Sequence, residues 1–321
     1  MWRPSNILCI HSFEDSNQDA VQRAIALANN LQAKLTVATF IPLSSGKLAA
    51  FFQGDPDQLM IDEREQALQA IVEPLKGSLD IQCSVISGTT YQEVIQHVLA
   101  NDYDLLLKTA GDEATKSKLF GGYDMGLLRQ CPCPVWLLKP NVKPEYKSIV
   151  AAIDVKDDYP EHEQATRREL NLKVLQTAYS LALAESADLH VVSVWSAEHE
   201  GAMRSSGFLK RPDDEVDSYV EGIKNNYQKN YDSLLDEAKA LVGPGVETYL
   251  EPQIQLIKGE PRQLIPDYAN DVNADLVVMG TVARTGIPGF IMGNTAENIL
   301  SGLSQSVLAI KPTGFTSPVT A

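Results

Sequence analysis

Gly280-Thr-Val-Ala-Arg-Thr-Gly-Ile-Pro-Gly-Phe-Ile-Met-Gly293-Asn-Thr-Ala-Glu297 follows the apolar run Asp275-Leu-Val-Val-Met and leads into a helical pattern. It reads as a strand, a glycine-rich loop and the start of a helix. Such a unit suits phosphate. Glycines let backbone N–H groups approach an anion without a Cβ in the way, and the free N–H groups and dipole of a helix N-terminus favour negative charge.

Much of this unit occurs twice. Ser84-Val-Ile-Ser-Gly88-Thr-Thr-Tyr-Gln92 lies over Gln255-Leu-Ile-Lys-Gly259-Glu-Pro-Arg-Gln263, and Asp104-Leu-Leu-Leu lies over Asp275-Leu-Val-Val, both at an offset of 171 residues. Val135-Trp-Leu-Leu-Lys-Pro140 lies over Val307-Leu-Ala-Ile-Lys-Pro312 at 172, one residue having been gained or lost in the intervening loop. The openings correspond too, Asn6-Ile-Leu-Cys-Ile-His-Ser12 with Ser148-Ile-Val-Ala-Ala-Ile-Asp154. Similarity over so many elements in one order points to duplication.

The length of 321 residues suits two domains at roughly 150 residues each. The prolines of Pro140-Asn-Val-Lys-Pro144 discourage helix and mark the junction. The expected domains are residues 1–142 and 143–321. Apolar strand runs near 6–12, 34–41, 80–86, 104–108 and 134–138 alternate with helical patterns near 17–32, 56–76, 90–101 and 122–130. The second half follows with strands near 148–153, 188–194, 249–257, 275–279 and 306–310. Strands joined through helices imply parallel pairing with right-handed crossovers, an α/β class. The stretch from Glu198 to Asp217 reads as an excursion loop before a helix near 217–241.

Composition narrows the function. The net charge of −15 disfavours direct nucleic-acid binding, which relies on Lys and Arg displacing counterions. No apolar run approaches the roughly 20 residues of a membrane helix, and the N-terminal apolar stretch is too short for a signal peptide, so a cytoplasmic protein is expected. Cys131-Pro-Cys133-Pro is weighed as a metal or redox pair and read instead as a turn into a buried strand, because the five histidines supply no further ligands at suitable spacing. His190 reads as a packed strand residue.

The repeated five-stranded module and its loop resemble the universal stress protein family in its tandem two-domain form, over nearly the whole chain. The loop pattern is Gly, two residues, Gly, nine residues, then Gly and a small polar residue. The resemblance implies a flavodoxin-like or adenine-nucleotide α-hydrolase-like (Rossmann-like) fold in each half, a cytoplasmic role in stress survival, including DNA-damaging conditions, and assembly through the last strands. Val135–Leu138 against Val307–Ile310 would satisfy that contact within one chain as a pseudo-dimer, leaving further pairing into a homodimer open.

The resemblance also carries over a binding site for ATP or another adenine nucleotide, with Mg as a companion ion. By position it comprises Asp154, Val194, Met279, Gly280, Val282, Ala283, Arg284, Gly293, Asn294 and Thr295. Ala283 stands at the second glycine and Asn294 at the usual Ser or Thr. Asn294 with Glu297 also has the spacing of a capping box, a purely structural alternative. In the first half Thr109 and Asp112 replace the glycines and Ser12 replaces the aspartate, with Gly121 and Gly122 remaining, so a degenerate domain is expected there.

No G-x-x-x-x-G-K-[ST], G-x-S-x-G or strand-linked G-x-G-x-x-G occurs, and no nucleophile pairs with a base, so a binding protein is favoured over a weak ATPase. The other reading is a nucleotide-independent carrier of an apolar small ligand or an interaction module, with Phe208-Leu-Lys-Arg-Pro212 covering a hydrophobic pocket.

Overall fold

The computed structural model describes residues 2–13, 18–42, 56–111, 120–140, 145–205, 207–243, 246–281 and 292–320. In the first half β1 (Asn6–Ile10), α1 (Asp19–Leu31), β2 (Lys34–Ile41), α2 (Pro56–Val72), β3 (Ile81–Ser87), α3 (Tyr91–Ala100), β4 (Leu105–Thr109), α4 (Gly122–Gln130) and β5 (Val135–Leu138) alternate. The second half opens with β6 (Ser148–Ala152), α5 (Glu161–Glu185), β7 (Asp188–Trp195), α6 (Glu200–Ser205), α7 (Asp213–Val242) and α8 (Val246–Tyr249). It closes with β8 (Gln253–Lys258), α9 (Pro261–Asp271), β9 (Leu276–Gly280), α10 (Asn294–Gly302) and β10 (Ser306–Ile310).

All ten strands form one sheet in the order β3-β2-β1-β4-β5-β10-β9-β6-β7-β8. Pairing is parallel within each half, and the halves meet in one antiparallel seam where Val307, Leu308 and Ala309 oppose Leu137, Trp136 and Val135. The pairing expected of the last strands is therefore made within the chain. Neighbouring residues on each central strand serve opposite layers. Ile7, Cys9, Ile149 and Ala151 pack under α1, α2, α5 and α7, while Leu8, Ile10, Val150 and Ala152 pack under α3, α4, α9 and α10. Burial on both faces is why these strands are apolar throughout rather than alternating.

The glycines aligned by the repeat do the same work in both halves. Gly88 and Gly259 have φ of +148° and +145°, and their N–H groups donate to Ile41 O and Trp195 O, each at 2.8 Å. Only glycine adopts that backbone at low cost, so this turn from the third strand into its helix is a duplicated feature.

Three expectations are corrected between β7 and β8. The excursion contains the six-residue α6, and α7 begins at Asp213 because Pro212 sets its first turn and Asp213, Asp214 and Glu215 complement the helix dipole. Phe208, expected over a hydrophobic pocket, is instead 94% exposed among the described residues. The strand expected from 249 starts at Gln253, after α8.

Candidate functional site

A cleft of about 760 Å³ opens at the C-terminal ends of β6, β7 and β9. β6 has β7 on one side and β9 on the other, so chain connections leave it in opposite directions. Such a switch point is where open α/β sheets hold ligands. Asp154, Val194, Met279, Gly280, Gly293, Asn294 and Thr295 all line this cleft. Val282, Ala283 and Arg284 lie outside the described residues.

The capping-box reading of Asn294 is not what the structure shows. Gly293 is the cap of α10, without a side-chain capping bond, and Asn294 is the first helical residue. Glu297 instead accepts from Arg129 Nε of the other half at 3.4 Å. The first-turn N–H groups of α10, which have no partner inside the helix, belong to residues bordering the cleft, Asn294, Thr295 and Ala296. Gly280 is needed for a different reason from the one the phosphate motif implies. A Cβ there would come within 2.7 Å of Leu170 Cδ2, so its absence lets α5 approach β9.

Asp154 is held from several directions. Its N–H donates to Asn171 Oδ1 at 3.2 Å, and Asn171 Nδ2 donates to its carbonyl at 2.5 Å. Its carboxylate accepts from Tyr159 Oη at 2.6 Å and from the Lys156 N–H at 3.2 Å, with Arg167 Nη1 at 3.9 Å. The Arg167 guanidinium stacks 3.5 Å from the Tyr159 ring centre and donates through Nε and Nη2 to Glu163 Oε2, both at 3.1 Å. Burial and then the Asp154 charge push the Tyr159 hydroxyl upward, so it stays a donor. Lys156 turns outward to Asp158 at 2.9 Å and Glu198 at 3.0 Å, the hydrogen bond to Asp158 being the main cause that holds its ammonium above its ordinary value. Burial raises the Tyr227 hydroxyl to about 12. The cleft thus combines apolar walls from Val194, Ile265 and Met279, an acceptor at Asp154, and helix N-terminal donors.

Glu163, Arg167, Leu170 and Asn171 were not foreseen. Their spacing puts them on one face of α5, and that spacing, directly after the strand ending in Asp154, is the signal that finds them. α5 has 25 residues where α1 has 13, and both close on a left-handed residue before the second strand, Ser186 and Gln32. The additional turns lie at the N-terminal end and form the cleft wall.

The first half is built differently at the same place. Ile10 pairs with Lys108 as Ala152 pairs with Met279, so a lysine replaces the apolar floor. Its ammonium lies 2.9 Å from Asp124 Oδ1, and Asp124 Oδ2 accepts from the Gly111 N–H at 2.9 Å. Asp124 is fully buried in the first turn of α4, whose cap is Gly121. An internal carboxylate therefore occupies the end of the helix that corresponds to the open one in the second half. Gly121 and Gly122 match Gly293 and Asn294 in position, while Asp112 lies outside the described residues.

Among the described residues no group of three His, Cys, Asp or Glu side chains is placed to hold a metal ion, and no helix is long and apolar enough to cross a membrane. His190 packs on Tyr268, Nδ1 to Oη at 3.0 Å.

Comparison with known proteins agrees with this architecture. Universal stress protein E of Photorhabdus laumondii is 30% identical over 253 residues, 77% of this chain and 74% of the relative. Universal stress protein E of Escherichia coli K12 is 27% identical over 328 aligned positions, 98% of this chain and 96% of the relative. The crystal structure of a functionally unknown Pseudomonas aeruginosa protein superposes with a TM-score of 0.68 at 24% identity, covering 96% of this chain and 93% of that one, which shows a common fold. The model of the Universal stress protein family matches residues 4–139 and again 145–311. With one duplicated five-stranded unit on each side of an antiparallel seam, the chain belongs to the universal stress protein family, in tandem form.

Proposed function

We propose that the second half binds ATP or a related adenine nucleotide, and that the protein is a cytoplasmic binding and signalling component of a stress response rather than an enzyme. One observation carries this reading: the same cleft presents the acceptor Asp154 and the donor end of α10, with apolar walls between. Carboxylates bind ribose hydroxyls, helix N-termini bind phosphates, and apolar walls suit a base. A magnesium ion would be carried on the phosphates, since the described residues gather no ligand set of their own.

The first half serves assembly in this reading, its helix terminus being already neutralised by Asp124. Denaturing freshly purified protein and identifying the released small molecules by mass spectrometry tests the proposal. Stoichiometric adenine nucleotide is expected. An acyl or other apolar species instead, or a preparation that neither releases nor takes up nucleotide, overturns it. Phosphate release from added ATP that vanishes in Gly293→Leu would make the protein an ATPase and overturn the non-enzymatic reading.

A further inference from the structure

Cys131 and Cys133 lie apart from the cleft chemistry. They flank Pro132 at the turn from α4 into β5, and their sulfurs are 3.5 Å apart, both side chains buried. Residues two apart in an extended chain share a face but stand roughly 6.6 Å apart along it, too far for their sulfurs to touch without a turn. Here Cys131 closes α4, its N–H donating to Leu127 O at 2.9 Å, and Pro132 and Pro134 fix the chain on either side of Cys133. The turn therefore presents two thiols already in contact.

A buried cation reaches the same end of α4. Lys311, just after β10, is 5% exposed, and its ammonium donates to Leu128 O in the last turn of α4 and to Thr281 Oγ1 at 3.0 Å. Among the described residues no carboxylate forms an ion pair with it. A buried ammonium with neutral partners alone is costly unless an anion lies nearby. Among the described residues the groups able to become anionic that act on it are the Cys131 and Cys133 thiols. Burial pushes the Cys131 thiol up, but the hydrogen bonds that the Cys133 S–H and N–H donate to it, together with the Lys311 charge, leave it below the ordinary thiol value. The hydrogen bond to Cys131, followed by burial, pushes Cys133 well up. The pair divides into an attacking sulfur and a protonated resolving sulfur.

We propose that Cys131 and Cys133 form a dithiol that hydrogen peroxide oxidises to a disulfide, with the Lys311 ammonium as counter-charge to the Cys131 thiolate. The Cys131 sulfur attacks one peroxide oxygen. An S–O bond forms, the O–O bond breaks, and the departing hydroxide takes the proton lost by Cys131 to become water. The Cys133 sulfur then attacks Cys131. The S–S bond forms, the S–O bond breaks, and the second hydroxide leaves as water with the Cys133 proton. Two thiols lose two protons and two electrons, and peroxide is reduced to two waters. Peroxide is small and uncharged, as a buried site requires.

The site adjoins Thr281 and, through it, Gly293 at the cleft. Thr281, which holds Lys311, also accepts from the Gly293 N–H at 3.3 Å. Oxidation removes the thiolate and leaves Lys311 without a counter-charge beside Thr281, one hydrogen bond from Gly293.

The test treats the folded full-length protein with peroxide, then denatures it, alkylates it and maps the peptides. The expected result is a mass lower by two hydrogens, loss of alkylation at Cys131 and Cys133 together, and retained alkylation at Cys9 and Cys83. Cys133→Ser is expected to accumulate a sulfenic acid at Cys131 that dimedone traps, and Lys311→Met to slow the oxidation by about tenfold. Alkylatable Cys131 and Cys133 after peroxide treatment of the folded wild-type protein overturns the proposal, whatever the variants do. An unchanged rate in folded Lys311→Met overturns the role of the lysine.

Discussion

Tyr159 donates its hydroxyl proton to Asp154 Oδ2 across 2.6 Å, beneath the guanidinium of Arg167. The carboxylate proposed to receive a ribose hydroxyl is thus already engaged, and a ligand competes with an internal donor for it. Tyr159→Phe is expected to tighten nucleotide binding by about three- to tenfold, and Asp154→Ala to weaken it by about tenfold or more, in line with a hydrogen bond to a charged group. Isothermal titration of the two variants checks this. Equal affinities would separate Asp154 from the ligand.

The pair Lys108 and Asp124 is shielded from water, whereas Arg129 and Glu297 are each more than a third exposed. Removing one partner of a buried pair strands the other charge, so Asp124→Ala is expected to cost about 3–5 kcal/mol in urea unfolding. Arg129→Ala is expected to cost less than about 1 kcal/mol. Lys108→Met with Asp124→Leu, which removes both charges, is expected to recover most of the loss.

Gly280→Ala forces a methyl group against Leu170, where 2.7 Å would separate the added carbon from Cδ2. Overpacking of this kind costs about 1–3 kcal/mol. Leu170→Ala alone is destabilising, but in the double variant the two losses are expected to be less than additive by at least about 0.5 kcal/mol. A double-mutant cycle by denaturant unfolding measures this coupling.

Burial lowers the Lys311 ammonium to about 8, below the roughly 10.4 of an unfolded lysine. Between those values the unfolded chain binds more protons, so stability rises with pH through the window, and below about pH 8 the full cost of burying the charge applies. The stability of the wild type relative to Lys311→Met is expected to improve by roughly 2 kcal/mol between pH 7.5 and 10. Urea titrations of both proteins at the two pH values cancel the groups they share, apart from the Cys131 and Cys133 thiols that Lys311 acts on.

How far the sequence could be read depended on whether a feature was local. Strands such as β2 and β10 lie where their apolar runs placed them, because burial on both faces writes an unbroken pattern. The aligned Gly88 and Gly259 were legible because a positive-φ turn admits few other residues. The α5 wall was missed because Glu163, Arg167 and Asn171 are ordinary helix-surface types until the sheet brings them beside Asp154. The Lys108–Asp124 pair was missed for a related reason: sequence showed absent glycines, not which side chain had moved into their place. Asn294 and Glu297 resembled a cap, yet Glu297 is engaged by Arg129 from the far side of the seam, a contact that no local spacing encodes.

The antiparallel seam between β5 and β10 has a bearing on how the halves could diverge. When a symmetric dimer is made of identical separate chains, every copy exchanges with every other, and a change in the gene alters both partners of every pair. Here the seam lies inside one polypeptide, so each half keeps the same neighbour at any dilution. Lys108 and Asp124 were thus free to settle in one half while the opposite cleft stayed open. The result is a pair of unlike partners in a ratio fixed by the gene rather than by mass action.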